Sequence, residues 1–139
     1  MTERLLLVLA VLVATLVVGL LWRARNGRYA AATADDRLTA QDVGAPLGAD
    51  ATFVQLSSEV CAACRSTAAV LGDLAERRSG LAHVELAAED RMDLVRRFGV
   101  LRTPTVLVLD GAGSVRGRLS GATTPAQALD ALAHLDAAR

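Results

Sequence analysis

Cys61 and Cys64 are the only cysteines of the chain, and they stand three positions apart in Glu59-Val60-Cys61-Ala62-Ala63-Cys64-Arg65. Two thiols at that spacing on the first turn of a helix can close a disulfide within that turn. An apolar run, Thr52-Phe53-Val54-Gln55-Leu56, leads straight into them. A strand feeding such a turn is the sequence signature of a redox dithiol. A thiolate attacks a disulfide, whereas a thiol barely does. A cysteine at a helix N-terminus faces unpaired N–H groups and the positive end of the macrodipole, and both favour the thiolate. Cys61 is therefore the expected nucleophile. Cys64, one turn further in, is placed to attack a mixed disulfide and release the product.

Other chemistries fit these residues less well. A structural zinc site needs four ligands, and the chain offers two cysteines with His83 and His134 far apart in the expected layout. A c-type haem attachment would need His where Arg65 stands. No metal site and no cofactor beyond the Cys61–Cys64 disulfide is expected. Arg65 either adds positive potential beside the pair or is an ordinary solvated helix charge.

The elements that must place the dithiol follow from the pattern around it. Thr52 to Ser57 reads as a strand and Cys61 to Arg78 as a helix whose apolar face is Val70, Leu71, Leu74 and Ala75, ended by Gly80. Ala82 to Ala87 reads as a strand. Glu89 to Phe98 reads as a helix with Met92, Val95 and Phe98 on one side and Gly99 as its C-terminal cap. Thr105 to Leu109 is an apolar strand, reversed through Asp110-Gly111-Ala112-Gly113 into Ser114 to Leu119. Thr124 caps a last helix with Pro125 at its first position, and Leu129, Leu132 and Leu135 are expected to face inward. The order is βαβαββα, an α/β sandwich with a central mixed sheet flanked by helices.

What precedes it has a different character. Residues 5–22 carry no charge and end in Trp22. As a helix at ~1.5 Å per residue they span about 27 Å, close to the hydrocarbon thickness of a bilayer, and Trp22 suits the interface. The reading is an N-terminal transmembrane anchor. A cleaved signal peptide is the rival, with Ala30-Ala31-Ala32 as its small-residue site, but the long apolar run and the Arg23, Arg25 and Arg28 behind it speak against that. Those three arginines outnumber the positive charges before the span, Arg4 and the α-amino group. The count favours a cytoplasmic domain, with an extracytoplasmic one as the alternative. Residues 23–50, rich in Ala, Gly, Thr and Asp, read as a linker, with Leu38 to Val43 as a weak candidate edge strand. Residues 51–139 form the expected domain.

Composition bounds the partners. Lys plus Arg equals Asp plus Glu, 15 each, so no net field draws the chain to nucleic acid. All of those basic residues are Arg, which removes lysine chemistry such as a Schiff base.

The dithiol after the first strand, the Phe98-Gly99-Val100 turn, Thr103-Pro104-Thr105 before the hairpin and Gly121 after the last strand together resemble the thioredoxin superfamily. With its anchor, the chain looks like the membrane-tethered thioredoxin-like proteins of bacteria. The resemblance covers residues 52–138. It implies that Pro104 is cis and faces the dithiol, and that the backbone of Thr103 pairs with an extended piece of substrate in strand-addition style. It also marks departures. Ala-Ala stands between the cysteines where typical thioredoxins have Gly-Pro, and Val60 stands for their Trp. Gln55 occupies the place of their buried acid, so the proton of the second cysteine must leave through water or Glu59, itself otherwise a solvated loop acid. Glu85 stands where a Lys often pairs with that acid.

The leading expectation is a membrane-tethered thiol–disulfide oxidoreductase that reduces or oxidises protein cysteines, served by an electron donor or acceptor of unknown identity. Two others stand beside it: a Cu(I)-binding chaperone using both thiolates, and a non-catalytic scaffold presenting a surface at the bilayer.

Overall fold

The computed structural model describes residues 2–32 and 36–138. Residues 33–35, within the expected linker, and the two terminal residues lie outside the described residues. Ten elements follow one another: α1 (Thr2–Arg25), β1 (Tyr29–Ala31), α2 (Ala40–Val43), β2 (Ala51–Ser57), α3 (Ala62–Arg77), β3 (Leu81–Ala87), α4 (Met92–Arg97), β4 (Thr105–Asp110), β5 (Val115–Ser120) and α5 (Pro125–Ala137). The expected βαβαββα order is present from β2 onward.

One five-stranded sheet has the order β1-β5-β4-β2-β3, with β2 and β3 parallel and the other neighbours antiparallel. Of the inner strands β5, β4 and β2, the last two are buried along their whole length, as continuous apolar runs in a two-sided sheet should be. Alternation along β2 sends Phe53 to one face and Val54 and Leu56 to the other. The Phe53 face packs Leu71 of α3 and Ala128, Ala131, Leu132 and Leu135 of α5. The opposite face packs Leu38, Val43, Leu94, Leu107 and Leu109.

Two inward-facing assignments change. Leu129 is 47 % exposed, and Ala128 and Ala131 take the buried face of α5 with Leu132 and Leu135. The buried set runs i, i+3, i+4, i+7, whereas Leu129, Leu132 and Leu135 would drift off a 3.6-residue face. In α4 the buried residue is Leu94, and Met92 points to solvent.

The stretch expected as a linker is structured over most of its described length. Tyr29–Ala31 adds the edge strand β1 beside β5, with the Tyr29 ring lying against Gly117 and stacked on His134 at 4.8 Å. The weak edge strand at Leu38 to Val43 is instead the short helix α2. Thr39 and Asp42 close a capping box on it, and Gly44 ends it at φ +71°. Leu38, 1 % exposed, and Val43 fill the face beside β2 and β4. α1 has no buried residue, and it is long and apolar enough to cross a membrane. Leu38→Ala, ahead of the expected domain, should therefore cost about 2–5 kcal/mol, as for a core leucine. Urea unfolding of the detergent-solubilised chain measures it, and a loss below about 0.5 kcal/mol, the surface range, contradicts this packing.

Candidate functional site

β2 ends at Ser57, and four residues later Cys61 is the N-cap of α3. The cap is made by sulfur: the Cys64 N–H donates to Cys61 Sγ at 3.1 Å and also reaches the Cys61 carbonyl at 3.1 Å. Helix N-termini leave such donors unpaired, so the turn presents an N–H to whatever charge Cys61 Sγ carries. The expected helix start at Cys61 is thus one residue early, and the sulfur sits where a capping oxygen usually would. Cys61 and Cys64 are joined as a disulfide with Cα atoms 5.2 Å apart. Cys64 is 2 % exposed, while Cys61 is half-buried and follows the fully projecting Val60, 94 % exposed. An incoming sulfur can therefore reach Cys61 and not Cys64.

The Thr103–Pro104 segment lies beside this turn. Leu56 of β2 pairs with Thr105 of β4, so the residues after β2 and before β4 meet at one end of the sheet. The Thr103–Pro104 peptide is cis. Thr103 Oγ1 and Ser58 Oγ are 3.2 Å apart, Pro104 is buried, and its carbonyl accepts from the Gly121 N–H at 2.8 Å. Thr105 Oγ1 donates to the Arg102 carbonyl at 2.7 Å. Gly121, at φ +92°, thus fastens the end of β5 to the loop.

Beneath α3 the sheet carries a polar floor. Gln55 and Ser57 alternate with Val54 and Leu56 along β2, so they share the α3 face. Gln55 pairs with Glu85 and Phe53 with His83 across the parallel ladder. Gln55 is fully buried, and its Nε2 donates to the Cys64 carbonyl at 2.9 Å, to Ser57 Oγ at 2.9 Å and to Glu85 Oε1 at 3.3 Å. Ser57 Oγ donates to Glu85 Oε1 at 2.6 Å. Gln55 Oε1 lies 3.1 Å from His83 Nε2. An amide oxygen only accepts, so the His83 proton is on Nε2. No buried side-chain nitrogen or oxygen among the described residues lacks a partner.

The sequence-selected residues fall into two groups. Cys61, Cys64, Gln55, Thr103 and Pro104 come together around one turn. Glu59 and Arg65 are exposed at its rim, and neither side chain forms a hydrogen bond or ion pair among the described residues, while the Arg65 N–H donates to the Cys61 carbonyl at 3.4 Å. Ser57, Ser58 and His83 were not singled out for this site. Their signal was the period-2 alternation on β2 and β3, which puts Ser57 and His83 on the same face as Gln55 and Glu85. No group of three or more His, Cys, Asp or Glu side chains able to hold a metal ion forms among the described residues.

Solved structures resemble the chain at the level of fold. Thioredoxin NaTrxh from Nicotiana alata is 22 % identical with a TM-score of 0.53, over 62 % of this chain and 74 % of that one. Mitochondrial thioredoxin 3 from Saccharomyces cerevisiae, in its oxidised form, is 18 % identical with a TM-score of 0.54, over 61 % and 78 %. The thioredoxin of Fasciola hepatica is 17 % identical with a TM-score of 0.54, over 63 % and 82 %. No family model matches the chain, and no curated protein matches it. The fold is thioredoxin-like, a mixed five-stranded sheet between helices, with an apolar N-terminal helix that is a candidate membrane span.

Burial lowers the pKa of His83 below its ordinary 6.5, against the upward pull of the Glu85 charge. The unfolded chain then binds a proton that the folded chain resists, so stability is full above about pH 6.5 and declines as pH falls toward the folded value. His83→Asn, which keeps a donor but cannot titrate, should flatten that decline. Urea midpoints at pH 7.5 and pH 5.5 test this, and equal pH dependence in both proteins would refute it.

Proposed function

We propose that this protein is a thiol–disulfide oxidoreductase acting on protein cysteines, tethered to a membrane through residues 5–22. The observation that carries the reading is a reachable Cys61 sulfur at the N-terminus of α3, bonded to a shielded Cys64 and flanked by the Thr103–Pro104 loop. The redox domain occupies residues 51–139, and β1 and α2 pack onto it from the preceding segment.

In the reductive direction the Cys61 thiolate attacks one sulfur of a substrate disulfide. That S–S bond breaks, the departing thiolate takes up a proton, and Cys61 is left in a mixed disulfide. Cys64 then loses its proton and attacks Cys61 Sγ, which expels the second substrate thiolate and closes the Cys61–Cys64 disulfide. Two electrons pass from the dithiol to the substrate. The oxidative direction runs the same bonds backwards, and a partner dithiol or disulfide resets the pair. Thr103 and Pro104 hold the substrate segment, and the backbone edge there supports strand addition. Gln55 keeps Cys64 seated, and Glu59 and Arg65 set the charge around the entrance. Arg23, Arg25 and Arg28 behind the span support a domain on the cytoplasmic side.

Cys64→Ser should trap substrate proteins as mixed disulfides through Cys61, visible as reducible adducts by mass spectrometry. Cys61→Ser should trap none. Equal adducts from both variants, or none from Cys64→Ser under mild oxidation, would defeat the proposal.

A further inference from the structure

The exit point of α1 fixes where the dithiol stands relative to a bilayer. Only residues 26–28 separate the end of α1 at Arg25 from the start of β1 at Tyr29, a reach of about 10 Å even fully extended. They are not slack. The Asn26 N–H donates to the Trp22 carbonyl at 3.1 Å, continuing the last turn of α1, and the Gly27 N–H donates to the Ser120 carbonyl at 2.8 Å. Gln127 Nε2 donates to the Asn26 carbonyl at 2.8 Å, and Arg102 Nη1 donates to Asn26 Oδ1 at 3.2 Å. Gly27 itself is at φ +70°, and a Cβ there would lie 2.5 Å from the Ala122 carbonyl oxygen, so the chain passes flush against the domain.

Ser120 and Arg102 belong to the end of the sheet that carries the dithiol, and Gln127 sits in the first turn of α5, which follows β5. Ser120 pairs with Thr105, Gly121 is bonded to Pro104, and Arg102 directly precedes Thr103. The anchor strand β1 and the dithiol strand β2 are three strand spacings apart in the order β1-β5-β4-β2, about 14 Å. Two apolar side chains at that end project to solvent: Val60 beside Cys61, and Leu101, 96 % exposed, just before the Thr103–Pro104 loop.

Building on the reading of α1 as a membrane anchor, we infer that the dithiol faces the bilayer from close range. Its substrates are then cysteines carried by integral membrane proteins on segments that have just left the lipid. A folded soluble protein would have to enter a gap narrower than itself to reach Cys61. A juxtamembrane segment is already in the gap, extended and partly apolar, and it suits Val60, Leu101 and the Thr103–Pro104 edge.

The test reconstitutes the full chain in phosphatidylcholine vesicles with two disulfide-bearing probe peptides, each fused to a transmembrane helix. One holds its disulfide about 10 Å above the lipid, and the other holds it about 40 Å above on a rigid helical spacer at ~1.5 Å per residue. Both are confined to the same surface, so height alone differs. The near probe should exchange at least about ten-fold faster. A Gly/Ser insertion of about 20 residues between Arg25 and Asn26 should abolish that preference while leaving exchange with the same peptide free in solution unchanged. Vesicle-bound protein that exchanges near and far probes equally overturns this inference and leaves the redox reading standing. Exchange with soluble peptide without binding to vesicles overturns the anchor and this inference together. Absence of exchange with every probe overturns the redox reading and, with it, this one.

Discussion

The Gln55 amide holds the first turn of α3 on the sheet, and the placing of the dithiol depends on it. Its Nε2 reaches the Cys64 carbonyl at 2.9 Å from a fully buried position, and the rest of its bonding capacity is taken by Ser57, Glu85 and His83. A buried amide left unpaired costs about 1–3 kcal/mol, so this network ties the seating of Cys64 to the satisfaction of the floor. Cys64 stays shielded because its main chain is held down. Cys61, at the cap, stays reachable. In the proposed function, the same anchoring decides which sulfur would meet substrate and which would resolve.

The other constraint is the meeting of three strand ends. β2, β4 and β5 bring Ser58, Thr103, Pro104 and Gly121 together, and the residues following α1 join the same corner through Gly27 and Asn26. The C-terminal end of α1, the Thr103–Pro104 loop and the dithiol turn are thus neighbours at one end of the sheet. A domain hung from a long flexible tether would sample every orientation; one attached through a three-residue connection bonded at Asn26 and Gly27 does not.

Much of this could be read in the chain. Leu71 and Leu132 sit where periodicity puts them, and the Cys-x-x-Cys after an apolar strand marks the turn. The misreadings share a cause: short or small-residue segments whose structure comes from tertiary partners. Ala128 and Ala131 carry too little apolar surface to outbid Leu129 in a pattern, yet they are what lets α5 lie close to the sheet. β1 is three residues long, and its Tyr29 gains meaning only against Gly117 and His134. Gln55 and Glu85 were visible as departures from thioredoxins. That they share a hydrogen-bonded floor with Ser57 and His83 required the β2–β3 register, which no local pattern specifies.

In the proposed function the dithiol is an ordered pair, with a reachable attacking sulfur and a shielded resolving one. Alkylating the reduced full-length protein with limiting iodoacetamide at pH 7, then locating the label by mass spectrometry, tests it most directly. Label is expected on Cys61, with Cys64 spared until the chain is unfolded. Label on Cys64 first, or on both at equal rates in the folded protein, would contradict it.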